Sequence, residues 1–148
     1  METVRVSGAP LSVGRAYAEL SDPASGGVVL FVGRVRPDRG GRGRVRALLY
    51  ESHRPLAESV LRRLAREARA RFGARRVVVW HRTGTLAVGV PSVLVGVAAP
   101  HRDSAFRAAR WLIDQLKHEA PIWKTDLLRP DRGGARRPAG RAGLDREG

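Results

Sequence analysis

Hydrophobic positions along the chain repeat at two spacings, and the changes of spacing divide it into elements. From Leu11 to Leu20 apolar residues stand at Leu11, Val13, Ala16, Tyr17 and Leu20, the spacing of one helix face. Ser12 is placed to cap this helix and Ser21-Asp22-Pro23 to stop it. Thr3 to Val6, ahead of it, predicts a short edge strand. After it, Gly26-Gly27 opens Val28 to Val32, a continuous apolar run rich in β-branched residues that predicts a buried strand. Arg34-Val35-Arg36 follows, and then Pro37 to Gly43, a glycine and arginine stretch with nothing to pack. Val45 to Glu51 resumes as a strand, and a long hairpin is the simplest connection between these two strands.

Pro55 to Phe72 predicts an amphipathic helix, with Leu56, Val60, Leu61, Leu64, Ala68 and Phe72 on one face and Gly73 at its end. Arg75 to His81 predicts a strand, Thr83-Gly84 a turn, and Pro91 to Ala99 a further apolar strand that Pro100 closes. A helix follows from Asp103 or Ser104 to about His118, buried through Ala105, Phe106, Ala109, Leu112, Ile113 and Leu116. Pro121 forbids its continuation, so Ile122 to Leu127 returns as a strand. Residues 129–148 hold one large apolar residue among arginines and glycines and are expected to be disordered. The order β-α-β-β-α-β-β-α-β alternates too irregularly for a doubly wound parallel sheet, and predicts a single α+β domain over residues 1–128.

Charge adds a second layer. The 148 residues carry a net charge of +14, and no cysteine is present, which excludes disulfides, thiolate metal sites and cysteine nucleophiles. A basic surface raises an arginine-rich nucleic-acid-binding module as an alternative function. Against it, aromatic residues make up only 5% of the chain and form no RNA-binding motif. No apolar run reaches the roughly 18 residues of a membrane span, so a cytoplasmic protein without membrane contact is expected. The four histidines show no metal-ligand spacing, and neither a metal site nor a cofactor is expected.

Of the 28 basic residues only Lys117 and Lys124 are lysine, leaving 28 − 2 = 26 arginines. Guanidinium stays protonated under ordinary conditions, whereas an amine can give or take a proton, so these two positions are candidates for acid/base or covalent chemistry. His101-Arg102 stands where an apolar strand meets a helix start, a setting that suits phosphate or carboxylate, or equally a surface turn. Arg34 and Arg36, two apart at a strand end, project to one face, as a binding pair or a solvated one. His81 begins HRTG at a strand end, where a turn role is expected.

GVVLFVGRVR, LLYES, HRTGTLAVG, SVLVGVAAPHRDSAF and Leu116-Lys117 before PIWK occur in order between about Leu11 and Asp126. Together they closely resemble the large, catalytic subunits of molybdopterin synthase. The resemblance implies an α/β-hammerhead-like domain with an added antiparallel β subdomain. It also implies an activity, the insertion of sulfur into cyclic pyranopterin monophosphate to make molybdopterin for molybdenum cofactor. The donor would be a small ubiquitin-like subunit with a C-terminal Gly-Gly thiocarboxylate, and the assembly a heterotetramer around a homodimer of large subunits. The implied substrate contacts are Arg34, Val35, Arg36, His101, Arg102, Lys117, Lys124, Thr125 and Asp126, with Lys117 the principal catalytic lysine and Lys124 its partner. The chain departs from the family pattern at Thr125 and Asp126, where a basic residue and Glu are usual, at Gly89-Val90 for the usual Gly-Glu, and in its Arg/Gly tail. A helix of about 15 residues would also hold His101 some 20 Å from Lys117, so either the substrate and the small subunit's tail span the gap or the dimer mate supplies one half of the site.

Overall fold

The computed structural model describes residues 1–37 and 45–128, together with the backbone of 136–141. In chain order the elements are β1 (Glu2–Ser7), α1 (Val13–Glu19), β2 (Gly27–Arg34), β3 (Val45–Ser52), α2 (Arg54–Phe72) and β4 (Arg76–Arg82). They continue with β5 (Gly84–Ala87), β6 (Pro91–Ala99), α3 (Arg102–Glu119), β7 (Ile122–Leu128) and β8 (Arg136–Arg141). The class is α+β, and two four-stranded sheets divide the strands between them, ordered β1-β4-β6-β2 and β5-β3-β7-β8. The first is mixed, since β1 runs parallel to β4 while its other pairs are antiparallel. All pairs of the second are antiparallel, which matches the added subdomain that the resemblance implies.

The first sheet is covered on both faces, and the period-two alternation of its strands assigns each residue a side. Val77, Val79, Val95 and Val97 join Leu61 and Leu64 of α2 and Leu112 and Leu116 of α3 in the larger core. Val78, Trp80, Leu94 and Ala98 turn the other way, toward Ala16 and Leu20 of α1. Each valine or leucine side chain so buried contributes about 1.5–3 kcal/mol relative to an exposed one. The helix ends follow from local chemistry. Ser12 Oγ accepts from Arg15 N at 3.2 Å, His53 Nδ1 accepts from Leu56 N at 3.3 Å, and Gly73 closes α2 at φ 68°, a conformation that costs glycine little.

Several expectations change. The hairpin between β2 and β3 does not form, because β2 pairs with β6 over its whole length and β3 lies between β5 and β7 in the other sheet. Apolar β6 offers a partner in a sheet covered on both sides, whereas β3, with Arg46 and Glu51 exposed, suits a sheet with one wet face. Consequently β2 is an edge strand rather than a buried one, and Val28 is exposed. Two strands go beyond the sequence pattern: four-residue β5, which follows the turn expected at Thr83-Gly84 and shares only Gly84 with it, and β8, which pairs with β7 inside the stretch expected to be disordered. The expectations for Pro37–Gly43 beyond residue 37, and for 129–135 and 142–148, fall outside the described residues. Phe106 and Leu56, assigned to buried helix faces, are exposed because the buried stripes through Ala105, Ala109 and Leu112 of α3 and Ala57, Leu61 and Leu64 of α2 are centred about 100° around each helix from them.

Several arginines are matched by carboxylates inside the fold. Arg54, Arg63, Arg66, Arg69, Arg75 and Arg107 each pair with a carboxylate. Burial raises the Glu2 carboxyl, but hydrogen bonds from Arg69 and Arg66 outweigh it and hold the group below its ordinary value. Such exposed pairs are worth little individually, yet they show that the charge is not one bare basic stripe. No helix among the described residues is long and apolar enough to cross a membrane.

Candidate functional site

The helix α3 separates the expected site residues into two groups. It begins directly after β6, packs on β6 and β2, and runs back along them, so its ends lie at opposite ends of the first sheet. At its start, His101 is the N-cap and its side chain makes no capping hydrogen bond, while His101 and Arg102 are both exposed. The first-turn N–H groups, the helix dipole and the Arg102 guanidinium favour an anion in the cleft lined by Gly26, Pro100, His101, Arg102 and Asp103. Asp103 offsets part of this charge, though its carboxylate turns to Arg107 at 3.7 Å.

Two glycines make that cleft possible. Gly26 N donates to Pro100 O at 3.2 Å, and a Cβ on Gly27 would lie 2.9 Å from both the N and the Cα of Arg102. Backbone cannot swing aside as a side chain can, so Gly27→Ala is expected to push the start of α3 outward and cost about 1–3 kcal/mol. Urea unfolding would register this as a lower midpoint at unchanged slope. An unaltered midpoint would mean that the strand and helix start are not in tight contact.

At the far end of α3, Lys117 lies in the last turn and is partly buried. Topology brings this turn to the end of the sheet where β2 delivers Arg34 and Arg36. The register of β2 slips between Gly33 and Arg34, and Val35 is then pinned by two backbone bonds, its N to Val90 O at 3.1 Å and its O from Gly89 N at 2.8 Å. The Val35 side chain is buried, while Arg34 is exposed and Arg36 partly so. Val35 thus anchors the segment, and the arginines on either side of it carry the charge.

Strand β7 supplies the rest. Its alternation puts Lys124 and Asp126 on the buried face, at 2% and 4% exposure, and Thr125 on the other. Sequence reasoning anticipated an amine partly desolvated by Ile122 and Trp123, and the burial goes further than that. An ammonium so placed requires partners, and Lys117, Lys124 and Asp126 each have one. Thr125 does not share the face of Lys124. His101 and Arg102 are not brought to the lysines either, since 16 residues of helix between His101 and Lys117 span about 24 Å.

Two buried side chains beside Lys124 were missed. His81 is not in a turn: it lies in β4, 1% exposed, and its Nδ1 donates to the Arg82 carbonyl oxygen at 2.8 Å. Tyr50 on β3 is 4% exposed, with its ring 5.2 Å from the His81 ring. The legible signal was the register of His81 with Val77 and Val79, which places it on the same inward face.

Comparison with known proteins bears on the family and the fold. The family model described as MoaE protein matches residues 6–119. The chain is 42% identical over 123 residues to molybdopterin synthase catalytic subunit 1 of Mycobacterium tuberculosis, covering 83% of each chain. It is 38% identical over 116 residues to the molybdopterin synthase catalytic subunit of Pyrococcus abyssi, covering 78% of each. Among solved structures, molybdopterin synthase from Staphylococcus aureus superposes with a TM-score of 0.82 at 28% identity, over 92% of this chain and 96% of that one. The MoaE protein of Burkholderia ambifaria gives 0.78 at 31% identity, over 94% and 90%.

Proposed function

Since the chain belongs to the MoaE protein family, we propose that it is the catalytic subunit of a molybdopterin synthase, a sulfurtransferase acting on cyclic pyranopterin monophosphate. The sulfur donor is the C-terminal thiocarboxylate of a small ubiquitin-like subunit, residues 1–128 form the catalytic unit, and the assembly works in the cytoplasm. The observation that carries this reading is the placement of the only two lysines. They lie seven positions apart across the reversal from α3 to β7, at the end of the sheet that also receives Arg34 and Arg36. Lys117 serves as the principal acid/base or covalent-contact amine and Lys124 as its partner, passing protons as substrate oxygen leaves and the acyl intermediate is hydrolysed. Arg34 and Arg36 hold anionic groups beside them, with Asp126 on the Lys124 face and Thr125 on the opposite one.

The phosphate falls to His101 and Arg102 with the first turn of α3. No small pterin bridges the roughly 24 Å to Lys117 along one helix. The site is therefore composite, with His101 and Arg102 from one large subunit facing Lys117 and Lys124 of its mate in a two-fold dimer. The direct test supplies the protein with a thiocarboxylated small subunit and the cyclic pterin. Formation of the dithiolene product is expected, and its absence with a folded chain and a donor proven on another synthase would overturn the reading.

A further inference from the structure

Tyr50 and His81 belong to different sheets, and both side chains are buried in the seam where the sheets meet. Their rings meet edge to face, with centroids 5.2 Å apart and planes inclined by 65°. Across the β3–β7 ladder the residue directly opposite Tyr50 is Lys124. Directly opposed residues of an antiparallel pair send their side chains to the same face with Cβ atoms about 5 Å apart. Imidazole, phenol ring and lysine stem thus form a row from the first sheet into the second, with Leu48, Leu86 and Ile122 in the same core. All three members of the row are at least 96% buried, by exposures of 1%, 4% and 2%. The far end of the row is fixed to backbone. The Arg82 carbonyl oxygen can only accept, so the His81 nitrogen 2.8 Å from it carries the proton, and the ring is held in one orientation.

We propose that His81 is a positioning residue for Lys124, acting through the ring of Tyr50. The locked imidazole sets the tilt of the phenol ring, and that ring walls one side of the lysine stem. A buried amine on a four-carbon stem then keeps one position from which to meet the reacting atoms. The proposed function assigns no step to His81 or Tyr50, yet two polar side chains stand at a point in the core where apolar residues would pack at less cost. The inference rests on the reading of Lys124 as an amine of the reaction centre, so its test includes an arm that needs no turnover.

With two lysines in the chain, selective 15N-lysine labelling yields two side-chain resonances. His81→Ala is expected to shift and broaden the Lys124 resonance while that of Lys117 stays in place. His81→Asn, whose amide can still donate to the Arg82 carbonyl, is expected to return the signal part of the way. In the reconstituted synthase His81→Ala is expected to lower kcat about a hundredfold, the usual penalty for a group displaced by about 1 Å, with KM for the pterin unchanged. In a Lys124→Ala background the same change is expected to cost nothing further. If His81→Ala fails to fold, Tyr50→Leu and His81→Asn carry the same comparison. An unmoved Lys124 resonance, equal movement of both lysine signals, or multiplying losses in the double variant would each overturn the proposal. An inactive wild type would instead count against the proposed function, leaving the resonance comparison intact.

Discussion

Lys117→Arg is expected to fold normally and to form molybdopterin about 10²- to 10⁴-fold more slowly, the range by which a positioned proton-transfer group usually accelerates a reaction. The substitution isolates the amine because it changes so little else. Both residues are cations suited to the last turn of α3, where the helix dipole favours positive charge, and their helix propensities are nearly equal. Lys117 is partly buried rather than enclosed, so the larger head group can extend toward solvent, and the stability change is expected to stay within about 0.5 kcal/mol. Electrostatic attraction for an anionic substrate survives as well, so the loss is expected in kcat rather than in KM. A guanidinium cannot release its proton at any working pH, which leaves the transfer step without its partner. Turnover at the normal rate by the folded variant would remove amine chemistry from the mechanism and reduce Lys117 to a charge.

Arg102→Ala and Lys117→Ala are each expected to be nearly inactive alone and to restore activity when mixed. In a two-fold dimer, each site takes Arg102 from one copy and Lys117 from the other. A mixed dimer then holds one site with both residues intact and one with neither. With random re-association half of the dimers are mixed, so the sample is expected to recover roughly a quarter of wild-type activity by symmetry alone. Measuring product after mixing under conditions that allow exchange of subunits tests this directly. No recovery from subunits shown to exchange would place both residues in one chain's site and require α3 to bring its two ends to one substrate, against its length.

The helices and most of the strands were legible because each carries a periodic signal in its own residues. The stripe through Leu61, Leu64 and Ala68 needs no partner to be recognised as a helix face, and Pro121 ends α3 by its own covalent geometry. Sheet partnership was not legible in the same way. The apolar runs of β2 and β3 are adjacent in sequence and read as a hairpin, yet their ladders belong to different sheets, since pairing depends on which faces are later covered. Short β5 has too few residues to establish a period, and the sequence of β8, RRPAGR, carries no apolar alternation to announce its ladder to β7.

The site divides along the same line. The chain by itself determined the inventory of chemistry: two amines among arginines, a His-Arg pair at a strand-to-helix junction, and arginines flanking Val35, all of which are properties of residue type and local order. It also determined that His101 and Lys117 stand far apart, because a helix has a fixed rise per residue. Only the tertiary structure decided that Val35 is an anchor and that Lys124 is buried rather than merely flanked by apolar neighbours. It alone put His81 against Tyr50 beside Lys124. Burial and cross-sheet contact arise from residues distant in sequence, and no local pattern encodes which of them will meet.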